Sequence, residues 1–321
     1  MASVTTEVPA VTTVVTHQGL GGRELSPDQA RACSRQDQQT SCVEDRVMDT
    51  AKVNGVELEY EVQGSGEPVL LIGTGPIADS FSPFFSEKAL VEHYRLIRYH
   101  QRGQVGSTHT LGPVSFAEHA ADAAALLGHV GISRAQVAGH STGATIALQL
   151  AVDRPDIVHT LALLEPPIMG APSAGAFFEK AEPALAAYGA GDRERAMMAF
   201  LSLVCSLDWE TCRTVIEKHA HGGVAQAMKD ADIVFGSYLP ALSAWNFGPT
   251  QAAAISQPVL SVLGTETERW FVDSRELLRC WFPQVENCTI EGVAHLLHMQ
   301  CPEPVAQGVA EFFARHPITR D

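Results

Sequence analysis

Ala135-Gln136-Val137-Ala138-Gly139-His140-Ser141-Thr142-Gly143-Ala144 decides how this chain of 321 residues is read. Residues 135–138 form a short apolar strand, residues 144–152 carry helical spacing, and a Gly-x-Ser-x-Gly turn lies between them. A serine on so tight a turn projects its hydroxyl past the end of the strand, and the two glycines stand where a Cβ would strike the neighbouring strand or helix. That setting makes Ser141 the candidate nucleophile. Thr142 follows it directly, so its amide is one expected donor to an oxyanion, while His140 is expected to point away from the hydroxyl.

To either side, strands alternate with helices. Residues 52–62 alternate like a hairpin broken at Asn54-Gly55; residues 68–72, 95–99, 160–164, 258–263 and 288–290 read as further strands, and 116–127 and 305–315 as helices. Such alternation implies a mostly parallel central sheet flanked by helices. Between about 168 and 250 strands vanish, and residues 177–188, 192–205, 209–219 and 224–234 carry helical spacing. The expected organisation is a flexible N-terminal tail over 1–46, a core over 47–167 and 251–321, and a helical cap over 168–250. Met48, at the head of the first strand, suggests an alternative start. Met197, Met198, Trp209, Met228, Phe235, Tyr238 and Trp245 of the insert line a pocket or are ordinary core.

A serine hydroxyl needs a base to take its proton, so a histidine must reach it from elsewhere in the chain. His295 is the candidate, in Gly292-Val293-Ala294-His295 after the last strand and before a helix with Pro302 and Val305. His298, three residues later, is its competitor. The 13 histidines of the chain are scattered, and the seven cysteines form no CxxC pair, so no metal site or redox motif is expected. The cysteines read as mostly reduced thiols, with a Cys205 to Cys212 bridge as the alternative.

Thirty-seven acidic against 22 basic residues leave a formal charge of −15, which repels both a phosphate backbone and an anionic bilayer. Neither nucleic acid nor a membrane surface is an expected partner. No run approaches the roughly 18 apolar residues of a membrane span, and no basic region precedes a hydrophobic one at the N-terminus. The expected location is the cytoplasm.

With Gly139 to Gly143 and Gly292 to His295 in place, the chain resembles the α/β-hydrolase superfamily over roughly residues 50–317. His100-Gln101-Arg102-Gly103-Gln104-Val105-Gly106-Ser107 is similar to that family's D-x-R-G-x-G-x-S segment, with His for Asp and Val for Gly; the loop reads as structural. The resemblance implies an α/β-hydrolase fold with a helical cap insert and a serine, histidine and acid triad. Leu71-Ile72-Gly73-Thr74-Gly75-Pro76 stands where relatives carry His-Gly-x after the third strand, which implies Thr74 as the second oxyanion amide. Most relatives carry the acid in G-x-x-D after the seventh strand, but Gly264-Thr265-Glu266-Thr267-Glu268 has Thr there, with Glu266 and Glu268 out of register. Glu165, in Leu164-Glu165-Pro166-Pro167 at the end of the sixth strand, is placed as in zearalenone lactonases and, by position only, some haloalkane dehalogenases. Glu165 is therefore taken as the acid, with Glu266 and then Glu268 as alternatives.

Epoxide hydrolases and haloalkane dehalogenases of this fold use Asp at the elbow, so Ser141 argues for acyl transfer to water instead. Esters and lactones suit it better than amides, whose poor leaving group demands more of the acid, and no metal or organic cofactor is needed. The apolar insert implies a large, hydrophobic small-molecule ester or lactone. The whole chain looks like esterases carried on integron cassettes, associated with enzymes that open 16-membered macrolide lactones, which implies a macrolide-resistance esterase; an esterase or lactonase for another hydrophobic molecule stands beside it. A proline-iminopeptidase-like peptidase, which would want an acidic pocket, and a non-catalytic hydrolase-fold receptor are the other readings. Oligomeric state is not implied.

Overall fold

Strands covered by helices on both faces must be apolar on both sides, and four runs of the chain qualify. Glu67–Ile72 (β3), Ala135–His140 (β5), Val158–Leu164 (β6) and Val259–Gly264 (β7) pair in parallel in the computed structural model, which describes residues 48–110 and 112–318. The tail expected over 1–46, with Cys33 and Cys42, lies outside the described residues. Asp49–Val53 (β1) and Val56–Gly64 (β2) make the hairpin, with Asn54 and Gly55 both at positive φ in its turn. Tyr94–Tyr99 (β4) joins β2 antiparallel and β3 parallel, and Glu286–Ile290 (β8) lies parallel to β7. The order across the sheet is β1-β2-β4-β3-β5-β6-β7-β8.

Phe116–His129 (α1) opens on a capping box in which Ser115 and Glu118 satisfy each other's backbone amides, and Thr142–Asp153 (α2) follows β5 directly. Between β6 and β7 the described chain is helical: Ala174–Gly189 (α3), Arg193–Cys205 (α4) and Trp209–His219 (α5), then Gly223–Lys229, Ala231–Ile233, a π-helical turn Val234–Tyr238, Leu239–Ala244 and Pro249–Ala252. The single helix expected over 224–234 is thus interrupted at Asp230, whose carboxylate accepts from the Val105 amide (3.2 Å) and Gln226 Nε2 (2.9 Å) and so is tied to a core loop. Arg269–Trp281 (α6) was not expected; its buried Trp270, Phe271, Ser274 and Leu278 recur at helical spacing. Pro302–Arg315 (α7) closes the chain.

The alternation of strand side chains divides the core in two. Leu70, Ile72, Val137 and Leu161 pack with Phe116, Leu127, Ile146 and Leu150 of α1 and α2, and this cluster runs on into the helical segment after β6. Val69, Leu71, Ala138 and Ala162 pack on the other face with Val305, Val309, Phe312 and Phe313 of α7. Residues 72 and 139, 140 and 164, 164 and 262, and 264 and 290 are cross-strand partners, so the carboxyl ends of β3, β5, β6, β7 and β8 lie side by side. Open parallel sheets bind ligands beyond that edge.

Candidate active site

The turn after β5 holds Ser141 at φ 54° and ψ −124°, a backbone conformation that costs a non-glycine residue about 1–3 kcal/mol and persists only where the surroundings impose it. They do so here through close approach. A Cβ on Gly139 would come within 2.4 Å of the Gly143 carbonyl, and one on Gly143 within 2.1 Å of the Ile72 carbonyl. The Ser141 amide donates to the Leu164 carbonyl at 2.9 Å, fastening the turn to the end of β6.

Glu165 directly follows β6, itself at a positive φ of 48° and 1% exposed. Its Oε2 lies 2.6 Å from His295 Nδ1 and accepts from the Thr267 hydroxyl at 2.8 Å, while its Oε1 accepts from the Gly264 amide at 2.8 Å. Burial pushes the Glu165 carboxyl up to about 8, outweighing the Gly264 and Thr267 donors that pull it down. Burial likewise pushes His295 down to about 3, which keeps the imidazole neutral at rest. Its ring lies flat on Phe271, with centroids 4.0 Å apart and planes 14° apart. Nε2, on the opposite edge from Glu165, is buried with no hydrogen-bond partner among the described residues.

The alternative acids are elsewhere. Glu266 is exposed, and Glu268 forms an ion pair with Lys180 at 3.0 Å. His298 packs its ring against those of Phe81 and His140. His140 donates from or accepts at nothing in the triad side chains; its Nε2 lies 2.9 Å from the His295 carbonyl and ties the base's loop to the elbow.

On the other side of Ser141 runs the loop that follows β3. The Gly75 amide donates to Thr142 Oγ1 at 2.9 Å, and the Thr74 amide lies 3.3 Å from Ser80 Oγ. Ser141, His295, Thr74 and Thr142 line one narrow cavity of about 30 Å3, enough for a water or two. Phe200, Leu201, Val204, Cys205, Val234, Tyr238 and Leu239 of the helical segment form its other wall. Of the aromatic and methionine residues singled out in the sequence, Tyr238 is in this wall, Met197 and Phe235 are buried in the core, and Met198 and Trp209 line a separate open cleft with Asp192 and Glu194. No group of three or more His, Cys, Asp or Glu among the described residues is arranged to hold a metal ion, and no described helix is long and apolar enough to cross a membrane. Cys205, Cys212, Cys280 and Cys288 are free thiols, so the bridge between Cys205 and Cys212 is not made, whereas Cys301 is disulfide-bonded.

A family model described as the alpha/beta hydrolase fold matches residues 67–302. The chain belongs to the α/β-hydrolase fold family. Within curated relatives it is 36% identical over 109 residues to RutD of Azorhizobium caulinodans, which carries the name of a carbamate hydrolase, covering 34% of this chain and 40% of RutD. It is 33% identical over 120 residues to the uncharacterized hydrolase YraK of Bacillus subtilis, covering 36% of this chain and 44% of YraK. The chain thus spans less than half the length of either. Among solved structures, a thermophilic esterase from Thermogutta terrifontis superposes with a TM-score of 0.65 at 22% identity over 85% of this chain and 100% of that one. An enol-lactonase from Burkholderia xenovorans LB400 gives 0.64 at 20% identity over 83% and 100%. At those identities the likeness speaks for the fold.

Two departures of this α/β hydrolase from the family pattern, at Thr267 and His100, have visible side-chain hydrogen-bond partners; among the described residues Val105 has none. Thr267, where relatives carry the acid, is the residue whose hydroxyl binds Glu165. His100, in place of Asp, sits between two carboxylates, with Nδ1 2.8 Å from Glu59 and Nε2 3.1 Å from Asp79; burial pulls its pKa down, and the two carboxylates outweigh burial and hold it above the ordinary value. Val105, in place of Gly, has φ 48°, which a β-branched residue rarely adopts. Sequence reasoning missed Phe271, Thr267, Gln101 and Gln104; the loop assigned only a structural part grips the backbone beside Thr74 with both glutamines.

Proposed function

We propose that this protein is a serine hydrolase that cleaves a carboxylic ester or lactone through an acyl-enzyme. The observation that carries the reading is the 2.6 Å bond between His295 Nδ1 and Glu165 at a cavity that also contains Ser141. Ser141 Oγ attacks the carbonyl carbon as His295 Nε2 takes its proton; Glu165 holds the Nδ1 hydrogen and stabilises the imidazolium. The amides of Thr142 and Thr74 receive the oxyanion, Thr74 exchanging its 3.3 Å contact with Ser80 for the developing charge. His295 returns the proton to the leaving alkoxide; it then draws one from a water whose oxygen attacks the acyl carbon, and hands that proton to Ser141 Oγ as the carboxylic acid leaves. Hydrogen bonds of apo sites tighten on binding, so the unpartnered Nε2 suits a base that awaits its substrate.

The segment over 168–250 acts in this reading as a cap that sets which acyl group enters. Its apolar wall favours an apolar ester or lactone, and with about 30 Å3 between wall and elbow any ester, a macrolide included, enters only if the segment shifts. Among the described residues the lining carries no carboxylate for a substrate ammonium, which counts against a peptidase of the proline-iminopeptidase type. A carbamate, the group in RutD's name, has the same carbonyl chemistry and is the second reading. Turnover of p-nitrophenyl butyrate tests the proposal: Ser141→Ala is expected to lower kcat by about four orders of magnitude. Unchanged turnover in that variant, or none in the native protein toward any ester, lactone or carbamate, would overturn it.

A further inference from the structure

Gly73 C=O and Thr74 N–H are the two ends of one planar peptide, so whatever grips the carbonyl aims the amide. Gln101 grips it. Gln101 Nε2 donates to the Gly73 carbonyl at 2.7 Å, and Gln104 Nε2 donates to the Thr74 and Gly75 carbonyls at 3.1 and 2.8 Å. Gln104 Oε1 accepts from the Gln101 amide at 2.9 Å, and Gln101 Oε1 accepts from the Tyr238 hydroxyl at 2.5 Å. All three side chains are buried, with no more than 1% exposed. Hydrogen bonds away from water, with both partners fully used, are costly to misalign.

Tyr238 ends the π-helical turn of the segment after β6, and such turns recur at functional sites. Its ring faces the cavity, stacks on His119 at 5.2 Å and lies so close to Gly75 that a Cβ there would come within 2.7 Å of it. The same stretch meets residues 103 and 105 as well: Asp230 accepts from the Val105 amide, and Ile233 packs on Gly103. Loop 101–105 is therefore held between the helical segment on one side and the peptide of Thr74 on the other.

We propose that Tyr238 is a positioning residue: through Gln101 it sets the orientation of the Gly73–Thr74 peptide, so that the seating of the helical segment determines how well the Thr74 amide meets the oxyanion. The inference rests on the serine-hydrolase reading above. Substrate pressing on the Tyr238 ring and the oxyanion donor are then two ends of one hydrogen-bonded train. Among the described residues no hydrogen bond joins the train to His295 or Glu165, so it acts on the oxyanion half of the site.

Steady-state kinetics with p-nitrophenyl butyrate, and inhibition by butaneboronic acid, test it in native protein, Tyr238→Phe, Gln101→Met and the double variant. The boronate forms a tetrahedral adduct on serine with an oxygen in the oxyanion position, a readout that mere loss of packing does not move. Tyr238→Phe keeps the ring and is expected to lower kcat by about three- to tenfold with KM within about twofold, and to weaken boronate inhibition by the same factor. The double variant should lose no more than the larger single loss, because both break one train. Values of kcat and boronate affinity within twofold of native, a loss in KM alone, or fully additive losses would each overturn the proposal. Should Tyr238→Phe fail to fold, Gln101→Met must show the same parallel fall, and its absence overturns the proposal equally. Ser141→Ala in the same assay separates the two levels: if it still turns over the ester, the hydrolase reading itself fails, whereas a Ser141-dependent enzyme indifferent to Tyr238 refutes only the positioning role.

Discussion

On one side of Ser141 the Glu165 carboxylate and the His295 ring are fastened by the ends of β6, β7 and β8, through Gly264, Thr267 and Phe271. On the other, the carbonyls flanking the Thr74 amide are held by Gln101 and Gln104 and, through Tyr238, by the helical segment, while the amide itself donates to Ser80 Oγ. In the proposed mechanism the acid and base belong wholly to the core, and the oxyanion side is shared between the core and the part of the chain that covers it. On that proposal, a change in the helical segment alters stabilisation of the transition state without disturbing proton transfer, and a change at the sheet edge does the reverse.

Removing the acid's charge should break the first side most severely. Glu165→Gln keeps the shape but presents the wrong partner to Nδ1, and kcat is expected to fall by about 1,000- to 10,000-fold on p-nitrophenyl butyrate, whereas Glu266→Gln and Glu268→Gln should stay within about twofold. A loss below tenfold at Glu165 would remove it from the role.

The pH profile sharpens the comparison. Burial raises Glu165 to about 8, and the reaction needs its carboxylate beside a neutral His295. Below that value the pair holds one proton too many to accept another from Ser141, so kcat/KM should fall about tenfold per pH unit on the acid side. A profile flat from about pH 6 to 9 would contradict this. Tyr238→Phe should lower the whole curve and leave its midpoint where it is, since it acts on the other half.

The smallest effect concerns the loop between the halves. Val105→Gly removes strain at φ 48° and should raise Tm by about 2 °C, with kcat within about twofold of native. A lower Tm would show that the Val105 side chain contributes more than its backbone costs.

The two sides also differ in what could be read from the sequence. Ser141 and His295 stand in short local motifs whose spacing to strand and helix is itself the signal, and Glu165 is marked by its place at a strand end. Their contacts follow from the strand order, which alternation does not give beyond a mostly parallel sheet. Gln101 and Gln104 leave no such mark, because an amide that binds backbone carbonyls needs no periodicity and no particular neighbours. The cavity wall was equally opaque: Met198 and Trp209 look as suited to a pocket as Tyr238, and only the break at Asp230 and the π-helical turn after it decide which faces Ser141. The helix bearing Phe271 went unread although its apolar residues recur at helical spacing, since its charged face dilutes them.

Covalent capture tests the central claim most directly. Treating the protein with paraoxon and mapping the product by peptide mass spectrometry should find a diethylphosphoryl group on Ser141, formed far more slowly in Glu165→Gln and absent in Ser141→Ala. No adduct, or one on another residue at an undiminished rate in Ser141→Ala, would contradict the account.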